Sequence, residues 1–119
     1  MNLSILLRSV ARQVPDQPAI TCDGTTLTYA NLGMQVATIA GALRKRHGLR
    51  PGDRVGIWME NCLEFLPMLY GCWRAGLAAV PINNKLHAKE LAWILDNAGA
   101  KLCVATPDLA GKLIDMPAQ

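Results

Sequence analysis

Three short apolar runs, Val55-Gly56-Ile57-Trp58-Met59, Ala78-Ala79-Val80-Pro81-Ile82 and Leu102-Cys103-Val104-Ala105, alternate along the chain with segments of helical period. Runs of this length without polar alternation suit strands buried on both faces, the condition of a parallel sheet clothed by helices. After the first run, Asn61 with Glu64 three residues later has the form of a capping box. The helix it opens reaches about Ala75 before Gly76 stops it. Pro67 falls inside that helix and removes one backbone donor, which predicts a kink or a wide first turn. After the second run, His87 occupies the N-cap position of a shorter helix with the stripe Leu91, Ile94, Leu95 and Ala98, ended by Gly99. Thr106-Pro107 then fits an N-cap with proline at the first helical position, for a last helix reaching about Asp115. Strand, helix, strand, helix, strand is the pattern of right-handed βαβ crossovers. The expected fold class is therefore α/β, an open and mostly parallel sheet with helices on both faces.

The first fifty residues add a smaller unit. Leu3, Leu6, Leu7, Val10 and Val14 mark one apolar stripe of a helix that Pro15 and Pro18 terminate. Ala19–Cys22 meets Thr25–Thr28 across Asp23-Gly24, a dipeptide that tolerates the positive φ angles of a two-residue hairpin turn. Thr28 is placed to cap a helix with the stripe Leu32, Val36, Ile39, Ala40 and Leu43; Arg44, Lys45, Arg46 and His47 occupy its last turn and Gly48 follows. Leu49-Arg50-Pro51-Gly52-Asp53 reads as a turn into the first buried run.

With 119 residues, 51% of them hydrophobic and 18% charged, the chain has enough apolar material for a core and too little charge for disorder. Its apolar runs fall far below the roughly 20 residues that span a bilayer, and the N-terminal run shows no cleavage pattern, so a cytoplasmic location is expected. Cys22, Cys62, Cys72 and Cys103 form no C-x-x-C pair and sit among apolar neighbours, which reads as reduced, mostly buried thiols.

Candidate chemistry is sparse. The βα junctions Met59-Glu60-Asn61, Ile82-Asn83-Asn84 and Ala105-Thr106-Pro107 carry no glycine-rich anion loop, and the glycines Gly71 and Gly76 belong to a helix and its end. His47 and His87 have no assignable partner, so solvated or capping roles outweigh catalysis. Arg44, Lys45, Arg46 and Arg50 form a charge cluster, but a net charge of +3 without interleaved aromatics favours complementing a helix C-terminus over binding nucleic acid. Trp58, Trp73 and Trp93 could line an acyl pocket, though core packing is the stronger reading. Asn83 reads as a turn former.

Taken in order, Pro15–Ile20, Leu27–Leu32, Leu49–Val55, Asn61–Phe65, Arg74-Ala75-Gly76, Val80-Pro81-Ile82-Asn83 and Lys89-Glu90-Leu91 resemble the opening segments of the adenylate-forming superfamily, acyl-CoA synthetases above all. The resemblance implies that residues 1–119 are one partial domain, the front of the N-terminal domain of such an enzyme. For the parent it implies that ATP adenylates a carboxylic acid, a fatty acid in the first instance, with release of pyrophosphate, after which a thiol, usually coenzyme A, displaces AMP. A Ser/Thr/Gly-rich loop, Mg²⁺ and a Lys from a mobile C-terminal domain serve that chemistry in the family, and no residue here matches those motifs. No catalytic, cofactor-binding or metal residue is therefore assigned, and the segment is expected to be scaffold. The rival is a free-standing, non-catalytic module of the same fold. Expected partners are the remainder of the parent chain or a second copy. Trp93, off the stripe of its helix, is a residue that needs a second surface.

Overall fold

A computed structural model describes residues 4–60, 63–107 and 109. Its elements follow the chain as α1 (Ser4–Gln13), β1 (Pro18–Cys22), β2 (Thr25–Thr28), α2 (Tyr29–Lys45), β3 (Arg54–Trp58), α3 (Phe65–Arg74), β4 (Ala78–Pro81), α4 (Ala88–Ala98) and β5 (Ala100–Ala105). Strands β1 and β2 form an antiparallel hairpin, and the other three form a parallel sheet in the order β4-β3-β5.

The hairpin turn is built as its residues require: Asp23 and Gly24 take φ values of 50° and 79°, both in the left-handed region that a two-residue turn needs. Thr28 then leaves the hairpin and caps α2, its hydroxyl accepting from the Asn31 amide at 3.2 Å. At the far end of α4, Gly99 closes the helix with φ 68°, donating its amide to the Asp96 carbonyl.

In β3 the side chains alternate between two cores. Val55 and Ile57 join Ala40, Leu43, Cys72 and Leu77 under α2 and α3. Trp58 faces the other way and packs with Ile82, Leu91 and Leu109 under α4. Gly56 shares that second face, where a Cβ would stand 2.4 Å from Leu95 Cδ2, so α4 lies tightly on the central strand. The two crossovers, β3-α3-β4 and β4-α4-β5, thus place their helices on opposite faces, as crossovers of one hand must when the second runs back across β3.

Several local expectations change. Helix α3 begins at Phe65, so Glu64 is the residue before the helix rather than its third, and it makes no side-chain cap bond. Asn61, the other half of the expected box, lies outside the described residues. The later start also removes the need for a kink: Pro67 falls in the first turn, where its missing N–H has no intrahelical acceptor, and the helical bonding starts with Met68 N–H to Glu64 O at 3.1 Å. In α1 only Leu7 of the expected stripe is buried among the described residues. Ser4 and Leu7 are buried while Leu6, Val10 and Val14 are exposed, with Leu7 the residue that packs against Leu32 and Val36 of α2. Strand β5 starts at Ala100, two residues before the expected run. The final helix expected after Pro107 lies almost wholly outside the described residues.

Candidate functional site

In an open parallel sheet, ligands enter at the carboxyl ends of the strands, where successive crossovers leave for opposite faces. Here the crossover from β3 leads to β4 on one side and the crossover from β4 returns past β3 to β5 on the other, so that point lies between β3 and β5. Pairing of Trp58 with Ala105 is the last rung between the two strands. One step beyond it stand Met59, buried, and Thr106, whose hydroxyl is buried with no hydrogen-bond partner. An unpaired buried hydroxyl costs about 1–3 kcal/mol, which singles Thr106 out at this end of the sheet.

Below the crevice Trp58 is fully buried, and its indole N–H donates to the Asn83 carbonyl at 3.1 Å. Asn83 in turn accepts the Lys85 amide on Oδ1 at 2.9 Å. Asn83 is thus the turn former expected of it, and Trp58 ties the β4–α4 turn to the central strand. Trp58 is a core residue, and Trp73 packs edge-to-face on Tyr70, ring centres 5.1 Å apart. Trp93 departs from the core reading, since 67% of its surface is exposed on α4.

The histidines are not brought together. His47 follows α2, ahead of the amino end of β3, whereas His87 precedes α4, beyond the carboxyl end of β4. His87 occupies the N-cap position with extended backbone, φ −69° and ψ 154°, but its side chain makes no cap bond. Arg54 donates to the Ala98 carbonyl, so this cation serves the last turn of α4. Among the described residues no group of three His, Cys, Asp or Glu side chains converges to hold a metal ion. Sequence reading missed Thr106 as a site residue because a Thr-Pro pair after an apolar run is equally the signature of a helix start.

Among the described residues Cys72 is buried and Cys22 and Cys103 are half-buried; Cys62 lies outside the described residues. Burial pushes the Cys72 thiol up to about 11 and raises Cys103 as well. Cys72 is therefore neutral near pH 8 and is expected to resist iodoacetamide in the folded chain, reacting only after denaturation. A native Cys72 that labels at the rate of a free thiol overturns this. The sign of the linkage also follows: above the ordinary value of 9.0 the unfolded thiol loses its proton while the folded one keeps it, so stability falls as pH rises from 9 toward 11.

Comparison with known proteins places this geometry. Residues 7–118 match the family described as AMP-binding enzyme. The chain is 39% identical over 116 residues to a feruloyl-CoA synthase from Amycolatopsis sp., a match covering 91% of this chain and 23% of the relative. It is 35% identical over 106 residues to a long-chain-fatty-acid–CoA ligase of Escherichia coli O6:H1, covering 89% of this chain and 19% of that one. Among solved structures it is similar to the N-terminal domain of FACL13 from Mycobacterium tuberculosis, with a TM-score of 0.91 at 31% identity over 100% of this chain and 31% of that one. The chain thus spans about a quarter of the curated relatives it matches, or less. With a match running over nearly its whole length and the same arrangement of sheet and helices, the chain belongs to the AMP-binding enzyme family.

Proposed function

We propose that this chain is the N-terminal segment of an AMP-forming ligase that activates a carboxylic acid, a fatty acid in the first instance, with ATP and passes the acyl group to coenzyme A. The observation that carries the reading is the family match over residues 7–118, with a feruloyl-CoA synthase, a long-chain-fatty-acid–CoA ligase and a fatty acid–[acyl-carrier-protein] ligase among the similar curated proteins, each several times longer than this chain. Within such a parent the segment is scaffold: a single partial domain that carries the β3/β5 crevice and its Trp58–Asn83 tie and holds no catalytic, cofactor or metal residue of its own. The described residues do not fit ATP phosphates or Mg²⁺, having no converging carboxylates and no glycine-rich βα junction, so no reaction step is assigned to them.

The partner in this reading is the remainder of the parent chain or, for the isolated segment, a second copy. Exposed apolar side chains at Ile5, Leu6 and Trp93 supply surface for either. No helix among the described residues is long and apolar enough to cross a membrane, and a cytoplasmic location belongs to the same proposal. Isothermal titration of the 119-residue chain with ATP and Mg²⁺ is expected to give no saturable heat. Saturable binding in the micromolar range would overturn the scaffold assignment.

A further inference from the structure

Two adjoining clefts run along one face of α2. The first, about 740 Å³, lies between the end of α2, the Gly48–Pro51 turn and Arg74 at the end of α3. The second, about 270 Å³, lies between α1 and the front half of α2. They meet at Ala37 and Arg74, which line both, so the two form one trough. From Ala30 to Arg44 the floor is a single face of α2, about 20 Å long at 1.5 Å per residue. This trough stands apart from the crevice, since the turn it includes leads into the amino end of β3.

The charge of the trough is one-sided. Arg8 and Arg12 stand on one wall, Arg74 at the junction, and Arg44, Lys45 and Arg50 around the far end. Among the described residues, half of the chain's 12 Lys and Arg line it, and none of its nine Asp and Glu does. Sequence position accounts for Arg44 and Lys45 as complements to the end of α2, but Arg8, Arg12 and Arg74 come from two other elements and converge only in the fold. The floor is apolar and shallow. Gly33 and Ala37 are half-buried, Met34 is 69% exposed, and a Cβ at Gly41 meets nothing within 4 Å.

We infer that the trough docks an acidic amphipathic helix of a protein partner, apolar residues on the floor and carboxylates toward the six cations. Three features select that occupant. The cations are strung along the length of the trough rather than gathered on one point, which suits a rod bearing several carboxylates rather than a single phosphate. The length matches about four helical turns. A concave trough with an apolar floor is the shape of helix-in-groove recognition, whereas a membrane surface favours a convex face.

The test uses the 119-residue chain and a fluorescent synthetic peptide of about 16 residues, four turns, with leucines on one face and glutamates on the other. Anisotropy at low salt is expected to show saturable binding that weakens as salt rises, and a lysine-for-glutamate version of the peptide is expected not to bind. Arg74→Glu reverses the cation shared by both clefts and is expected to weaken binding about tenfold. Lys101→Glu, on β5 and away from the trough, changes the net charge equally and is expected to leave the affinity within about twofold. Circular dichroism of both variants confirms that they are folded, and because Arg74 and Lys101 are exposed both substitutions leave the core intact. The inference is overturned by absence of peptide binding, by equal losses in the two variants, by binding of the lysine peptide, or by pyrophosphate or anionic phosphatidylglycerol vesicles competing as strongly as the peptide.

Discussion

Gly71→Ala is expected to lower the unfolding free energy by about 1–3 kcal/mol, although alanine is the better helix former by about 1 kcal/mol. Helices α2 and α3 make the most extensive contact between the described elements of the fold, and they approach closely at Gly71. A Cβ there would stand 2.5 Å from Ile39 Cγ2 and 2.9 Å from Ile39 Cβ. Carbon atoms pack at about 3.5–4.0 Å, so both contacts are deep in the repulsive range. Rotation about χ1 could move Cγ2, but the Ile39 Cβ is fixed by the backbone of α2. Relief therefore requires the helices to separate, which loosens Ala40, Leu43, Cys72 and Ala75 beneath them. Urea unfolding of the parent chain, Gly71→Ala, Ile39→Ala and the double variant checks this. The double variant is expected to be more stable than the sum of the two losses, because removing the Ile39 branch makes space for the new methyl. A Gly71→Ala chain that matches or exceeds the parent in stability removes the claim.

How much of this was legible beforehand depends on whether the information is local. The positions of the three sheet strands were, because each is a short apolar run, but burial on both faces holds for central β3 alone, while β4 and β5 at the edges of the described sheet are half-buried or exposed. The Asp23-Gly24 turn and the Thr28 cap were legible for the same reason, each resting on the chemistry of two or three neighbouring residues. Choices settled by a distant partner were not. Helix α1 carries apolar residues around much of its circumference, and only its packing against α2 and α3 shows that Leu7 is covered while Leu6 and Val10 stay outside. The start of α3 was misjudged because Glu64 three residues after Asn61 satisfies the box pattern, while Pro67 is better accommodated when the helix begins at Phe65. At the crevice, Thr106 becomes noticeable only when its hydroxyl is seen to lack a partner. The trough needed three elements, since Arg74 lies 24 residues beyond Arg50 and 62 beyond Arg12. Charge clusters along the sequence located half of it and assigned that half to a helix end.

The largest loss is expected at Trp58. Trp58→Ala removes the biggest fully buried side chain from the core between the sheet and α4, where it packs with Ile82, Leu91 and Leu109. Truncation of a buried tryptophan to alanine costs about 3–5 kcal/mol, lost transfer energy plus a cavity that close-packed neighbours fill only in part. Set against a typical total of about 5–15 kcal/mol for a folded domain, that loss leaves a large share of this short chain unfolded near body temperature. Trp58→Phe separates packing from tethering. Phenylalanine keeps much of the apolar contact but has no N–H for the Asn83 carbonyl, a bond worth about 1 kcal/mol. Since Asn83 also receives the Lys85 amide, the turn itself should persist while its attachment to β3 is lost. Thermal unfolding followed by circular dichroism should therefore rank the parent chain above Trp58→Phe, and Trp58→Phe well above Trp58→Ala. Hydrogen exchange in Trp58→Phe should rise at Lys85 and Leu86 more than in β3, whose ladder to β4 and β5 is intact. A Trp58→Ala chain within about 1 kcal/mol of the parent would show that α4 can collapse onto the sheet, and Gly56, already within 2.4 Å of Leu95 by its missing Cβ, says that it has no distance left to travel.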